Sequence, residues 1–526
     1  MRYDILIKDG MIVDGTGKQR FLGDIGIKDG LIHEIGVPSI AGAEAAMIIP
    51  AFGKFVVPGF IDITSHADKN WSLFLNPAQD YLLTQGVTSI LVGNCGASLA
   101  PLIGQESIAN LRKWDQTGQA NINWAAVGEF LTELGRRPLG VNVATLVGHG
   151  TARRGILKDA SRALSKEEAD EFADVVDRAM TEGAFGLSLG LVYGHERAAS
   201  TEELVVLARP VAARGGIIKI HLRNEGADLV PAVNEAVQIA RGSGAVTIIS
   251  HIKAIGRTSW PHFEKAIDII ERAATGGVPI HFDVSPYART GSFLYLLLPA
   301  WAREGGFGPM IERIKDTESR AEIVRELDER VTLHAERYIV AGTATSKSGQ
   351  TLAEIARASG VSPAEAILEL LVLNRGRVQV FGRTLAVKNM ERAVMHADSI
   401  IASDGYGVFP ELEKIGRLVH PRSTGTFPHF LHRFVRDREA LAWEQAIQKI
   451  TAKPAEAAGF AGRGKLLPRH AADVVVFDPD TFADRSTYKV PFIHPTGIEA
   501  VVVNGTLAIS EGQLTGLAGG RVVRKA

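Results

Sequence analysis

The chain has 526 residues, 46% hydrophobic and 22% charged, a composition that fits a globular protein and excludes a disordered one. Lys and Arg total 58 against 59 Asp and Glu, so no net charge recruits nucleic acid or an anionic membrane. No uncharged stretch approaches the ~20 apolar residues of a membrane span, and a single cysteine, Cys95, rules out an internal disulfide, so a reducing, cytoplasmic location is expected.

The opening segment MRYDILIKDGMIVDG alternates like a strand and carries Arg2, Asp4, Lys8 and Asp9, so it is not read as a signal peptide. Short strands broken by Gly turns (DGTG, KDG) continue through residues 3–56. The same texture returns in ADVVVFDP at 472–479 and GIEAVVVNGTLAIS at 497–510. One small β-sandwich built by both chain ends, residues 1–55 and 465–526, is expected.

Between them, over 56–464, strand-like and helix-like segments alternate. Strands are predicted at 56–63, 88–93, 141–147, 184–189, 217–221, 246–250, 279–283 and 399–403, with helices between them, such as 166–183 and 263–277. This is an α/β pattern, and its expected form is a (β/α)₈ TIM-type barrel. Over 100 residues separate the last two strands, so an inserted lid subdomain is expected at about 288–345.

Five apolar runs of this region end on residues able to hold or serve a metal: His66, Cys95, His221, His251 and Asp404. Buried parallel strands read as such continuous runs, and the carboxyl rim of a barrel is where chemistry gathers. His221 and His251 close neighbouring strands, and neutral imidazole suits Zn²⁺. A thiolate from Cys95 would leave a fourth position for water, the arrangement of a catalytic zinc. Asp404, in SDG, reads as an acid/base beside that water or as a turn residue. His66, in IDITSHAD, reads as a further ligand, a substrate-orienting group or a partner of a carboxylate.

The ordered blocks VVPGFID at 56–62, GNCG at 93–96, GHGTAR at 148–153, EGAFGLSLGLVY at 182–193, HLRNEG at 221–226, SHIKA at 250–254, SDG at 403–405 and HPRSTGTFP at 420–428 resemble the amidohydrolase superfamily. Within it, the chain is similar to the N-acyl-D-amino-acid deacylases (D-aminoacylases). The resemblance implies a metal-bearing barrel, a β-sandwich and a mobile insertion. It also implies that Cys95, His221 and His251 bind a tightly held zinc and that Asp404 is the catalytic aspartate.

Two positions depart from the family pattern. The first histidine of its His-x-His pair is Thr64, a poor zinc ligand, so one zinc per chain is expected, with His66 in a secondary role. Ser285 stands where an aromatic residue normally shapes the pocket. The implied reaction is zinc-dependent hydrolysis of N-acyl-D-amino acids. Lys253, Arg223, Arg422 and Arg289 are candidates to clamp the substrate carboxylate, and Tyr287 to donate to the developing oxyanion. The expected partner is a small-molecule N-acyl amino acid, and the oligomeric state stays open. A cyclic-amide hydrolase of the dihydroorotase or hydantoinase type shares this fold, as would a barrel that binds a ligand without catalysis.

Overall fold

The computed structural model describes residues 2–36, 43–111, 122–158, 160–330, 332–343 and 348–525. Residues 331 and 344–347, within the expected insertion and its following helices, lie outside them.

Among the described residues, nine strands form one sheet drawn from both ends of the chain. Arg2–Ile12 pairs with Phe21–Lys28, and Phe21–Lys28 pairs with Leu31–Gly36, both antiparallel. On its other side Arg2–Ile12 runs parallel to Glu44–Pro50 and Phe55–Pro58. Phe55–Pro58 then pairs antiparallel with Val474–Phe477, which leads on to Ile498–Val503 and Thr506–Ser510. Alternation places Ile5, Ile7, Ile25, Ile27, Val474 and Val476 in one apolar layer.

The predicted first strand, 56–63, is cut in two. Phe55–Pro58 belongs to this sheet, while Phe60–Asp62 begins a parallel ladder. Pro58 offers no backbone donor, and Gly59 is required by close approach: a Cβ there would meet Thr88 Oγ1 at 2.1 Å.

Phe60–Asp62, Val87–Val92 and Asn142–Thr145 run parallel in chain order. So do Val147–Gly148, Gly186–Gly190, Ile217–His221, Val246–Ile249, Ile280–Val284 and Ile400–Ile401. Phe185 N donates to Thr145 O at 2.9 Å across the junction of the two ladders, and Ser403 N donates to Asp62 Oδ1 at 3.0 Å, bringing the last strand's end beside the first. Ile61, Leu91, Leu146, Phe185, Ile217, Ile248 and Ile400, from these strands and the residues beside them, pack in one apolar cluster.

Amphipathic helices cover these ladders. Lys166–Thr181 starts on a reciprocal cap: Ser165 Oγ accepts from Glu168 N at 3.2 Å, and Glu168 accepts from Ser165 N at 2.7 Å. It buries Phe172, Val176, Ala179 and Met180, one side of a 3.6-residue repeat.

The excursion before the last parallel strand has its own antiparallel sheet, in which Gln379–Gly382 lies between Thr290–Phe293 and Tyr338–Gly342. A separate apolar cluster that includes Leu294, Ile314, Leu327, Leu352 and Ile367 packs there. This unit therefore reaches well past residue 345, because its central strand comes last in sequence.

Candidate active site

Four strands deliver the central side chains from their carboxyl ends. His221 is the last residue of Ile217–His221. His251 follows Val246–Ile249, and its backbone N–H donates to buried Asp283 Oδ1 at 2.7 Å. Cys95 follows Val87–Val92 through Gly93 and Asn94, and Asn94 Nδ2 ties that bend to Leu91 O at 2.8 Å and Ser65 O at 3.1 Å. Asp404 follows Ile400–Ile401. Cys95, His251 and Asp404 all take the left-handed backbone region, with φ of 55°, 40° and 52°. Non-glycine residues hold that conformation only where surroundings enforce it, and such residues concentrate at functional sites.

One ligand atom each from Cys95, His221 and His251 lies within 4.8 Å of the others, and all three residues are buried. Cys95 Sγ is 3.4 Å from His251 Nε2 and 3.7 Å from His66 Nε2. His66 Nε2 is in turn 3.2 Å from Asp404 Oδ1, and Arg422 Nη1 is 2.8 Å from Asp404 Oδ2. Among the described residues this trio is the cluster of His, Cys and acidic groups able to hold a metal ion.

The electrostatics follow from this crowding. Burial pushes the Cys95 thiol up, but His251 and His66 more than reverse it and hold the group well below the usual thiol range. Burial likewise raises the Asp404 carboxyl, yet Arg422, His251 and His66 hold it well below the ordinary carboxylate range. Burial opposes protonation of His66, but Cys95 and Asp404 push it up to about 9. Burial and Lys253 oppose protonation of His251, but Asp404 and Cys95 push it up to about 10.

Two groups invisible to the sequence reading complete the site. Glu225 Oε1 lies 2.6 Å from Lys253 Nζ and 3.2 Å from His251 Nδ1, and its Oε2 lies 3.5 Å from His221 Nε2. Burial alone would raise its pKa; Lys253, His221 and His251 hold it far below the normal range. Its one sequence signal is its place four residues after His221. The second group lies beneath the site: fully buried Lys219 donates to Asp283 Oδ2 and Ile63 O, both at 2.8 Å, and to Thr64 Oγ1. Thr64 Oγ1 itself donates to Asp283 Oδ2 at 2.7 Å. The hydroxyl at the departing position is thus engaged with Lys219 and Asp283.

The other candidates differ in how free they are. Arg223 is committed to the protein: Nε and Nη2 reach Glu235 at 2.9 and 2.7 Å, and Nη1 and Nη2 reach the carbonyls of Arg197 and Ala199. Lys253 is also engaged, with His251 Nδ1 at 2.7 Å and His251 O at 3.0 Å besides Glu225. Arg422 holds Asp404 through Nη1, while its buried Nε has no acceptor among the described residues. Tyr287 lines the cavity, its ring stacked on His429 at 4.4 Å, and burial drives its hydroxyl well above the ordinary phenol range. Ser285 Oγ donates to Ser403 O at 3.2 Å. His149, in the GHG turn, is buried against Glu196 at 2.9 Å, away from this group.

The cavity over the cluster encloses about 850 Å³, lined by His66, Cys95, His221, His251 and Asp404 at its base and by residues of the 290–385 excursion above. This is the size of a small-molecule pocket. No helix among the described residues is long and apolar enough to cross a membrane.

Comparison with known proteins agrees with this geometry. A D-aminoacylase of Alcaligenes xylosoxydans xylosoxydans is 31% identical over 99% of this chain and 98% of its own length. An N-acyl-D-glutamate deacylase of the same organism is 33% identical over 96% of this chain and 93% of its own. The crystal structure of an N-acyl-D-glutamate deacylase from Bordetella bronchiseptica, complexed with zinc and a phosphonate mimic of the tetrahedral intermediate, superposes with a TM-score of 0.84. It is 31% identical and covers 100% of both chains. The profile of the amidohydrolase family (Amidohydro_3) matches residues 48–509. A match of that extent takes in most of the chain, and this chain is a member of the amidohydrolase family.

Proposed function

We propose that this chain hydrolyses the amide bond of N-acyl-D-amino acids, releasing a carboxylate and a free D-amino acid, with a zinc ion held by Cys95, His221 and His251. The observation that carries this reading is the meeting of one thiol and two imidazoles within 4.8 Å, with Asp404 joined to them through His66. Whole-length similarity to deacylases of N-acyl-D-amino acids supports the substrate class and its configuration.

The donor set fits zinc, since one thiolate and two imidazoles with an open fourth position make a catalytic arrangement. Bound there, zinc supplies Lewis acidity toward a carbonyl oxygen and toward water. The protein supplies the rest. Asp404, kept ionised by Arg422, accepts the proton of the attacking water and returns it to the departing nitrogen. Arg422 fixes the orientation of that carboxylate and retains a buried N–H for the substrate's own carboxylate. Tyr287, kept protonated by burial, is a donor to the developing oxyanion. Glu225 and Lys253 set the ring of His251 from behind, and Arg223 braces that wall.

One ion per chain is the stoichiometry supported by Thr64, whose hydroxyl is taken up by Lys219 and Asp283; His66 then serves Asp404 and Cys95. The architecture we infer around the site is a (β/α)₈ barrel, with a β-sandwich from both chain ends and the excursion after Val284 as its lid. The strand order and the Asp62–Ser403 link support it.

The test is to incubate zinc-loaded protein with N-acetyl-D-amino acids, their L enantiomers and hydantoins, resolving released amino acids by chiral chromatography. Free D-amino acid from the first set alone is expected. Release from none of the acyl amino acids would overturn the reading.

A further inference from the structure

The cavity wall is far more cationic than the chain as a whole. Eight arginines and one lysine line it against three carboxylates, in a protein with a net charge of −1. Two of those carboxylates are already matched, Asp404 by Arg422 and Glu225 by Lys253. Field lines from such an excess focus inside a low-dielectric cleft.

Strand register shows where part of this charge collects. In the small antiparallel sheet Thr290 pairs with Gly382, and Tyr338 pairs with Gly382 from the other side. One step further along each ladder, Arg289 and Arg337 both face Arg383, whose backbone N–H donates to Arg337 O at 3.1 Å. Three arginines thus form a cross-strand row at the sheet's end, and all three line the cavity. Like charges directly opposite on neighbouring strands are destabilising.

Nothing among the described residues relieves this repulsion well. Arg289 and Arg383 have no carboxylate within salt-bridge distance there, and Arg337 has only the exposed Glu336 at 3.6 Å. The Arg289 guanidinium lies 4.8 Å over the Tyr488 ring, a cation–π contact that brings no opposite charge to it. Burial pushes the Tyr488 hydroxyl up to about 12, and Arg289, Arg422 and Arg383 all pull against that rise. Arg422 Nη2 lies 3.4 Å from Gly291 O, so the row begins beside the residue that holds Asp404.

We propose that Arg289, Arg383 and Arg337 form an anion subsite that binds a second carboxylate of the substrate, away from the scissile amide, so that the preferred substrates are dianions. This rests on the N-acyl-D-amino-acid reading and narrows it. Guanidinium edges match a carboxylate bidentately, and an anion between them converts repulsion into binding. The second carboxylate has two possible sources, the amino-acid side chain or the acyl chain.

The test compares isosteric pairs on zinc-loaded wild-type protein. One arm sets N-acetyl-D-glutamate against N-acetyl-D-glutamine; the other sets N-succinyl-D-alanine against its succinamoyl counterpart. In at least one arm the charged member is expected to show kcat/KM at least ten times higher, mostly through KM, and the arm that responds identifies the source. That ratio should fall toward one in Arg289→Ala, Arg383→Ala and at high salt. Turnover with ratios near one in both arms would overturn the subsite and leave the deacylase reading standing. Should no acyl amino acid be turned over, the deacylase reading fails, and calorimetric binding of the same pairs decides the subsite: equal affinity for both members of each pair overturns it.

Discussion

Arg422 Nη1 lies 2.8 Å from Asp404 Oδ2, and both side chains are buried. That contact holds a carboxylate ionised where burial would otherwise protonate it. Asp404→Asn keeps the shape and removes the proton acceptor. Turnover of an N-acyl-D-amino acid should fall by about 10²–10⁴-fold, with zinc content unchanged, as read by steady-state kinetics and metal analysis. Wild-type kcat in this variant would remove Asp404 from the reaction.

Zinc uptake should release protons. His251 is pushed up to about 10, so its ring is protonated at pH 7, and a ring nitrogen must be neutral to bind a metal. Affinity is therefore expected to rise with pH toward that value. Calorimetry in buffers of different ionisation enthalpy counts the protons; a count of zero at pH 7 would show that the His251 ring is already neutral before zinc binds. Cys95→Ala should lose tight zinc binding altogether.

Beneath the site, Lys219, Thr64 and Asp283 form one buried unit. Removing one member of a buried ion pair leaves an uncompensated charge, so Lys219→Met should destabilise the protein by about 3–5 kcal/mol. Thr64→Val removes hydrogen bonds only and should destabilise by about 1–3 kcal/mol. Urea unfolding of the variants tests the ranking, and a Thr64→Val loss larger than that of Lys219→Met would refute it.

Much of this site was legible because of where its residues stand. Cys95, His221, His251 and Asp404 each end an apolar run, all of those runs are parallel strands, and the strands of His221 and His251 are direct neighbours. Glu225 was not legible, since its contact with His251 and Lys253 depends on a loop that folds back, with Ile255 N donating to Glu225 O at 2.7 Å. Lys219 was not legible either, since its partners, 155 and 64 residues away in sequence, leave no local trace. The break at Gly59 was hidden for a similar reason: it arises from Thr88, on the next strand. Arg223 and Lys253 read in sequence as candidate clamps for a substrate carboxylate, because chemistry alone does not reveal which protein carboxylate has already claimed them.

A pH effect on stability should come from Lys449. Burial, with Lys453 adding to it, lowers its pKa from 10.5 to about 7 in the folded chain. Between those values the unfolded chain holds a proton that the folded chain lacks, so this group makes stability increase as pH rises. The slope for one proton is at most about 1.4 kcal/mol per pH unit. Lys449→Met removes it. Unfolding of wild type and variant at pH 7, 8 and 9 should show a difference that shifts in favour of wild type with pH. A constant difference would contradict the assignment.

The ladder between Phe55–Pro58 and Val474–Phe477 joins segments about four hundred residues apart. During synthesis the early segment leaves the ribosome with one edge unclaimed, and its mate appears only when nearly the whole polypeptide has been made. Until then that edge is open to other chains. Premature termination anywhere before Val474 would therefore expose a sticky strand, and a nascent copy of this enzyme should lean on chaperones for most of its translation.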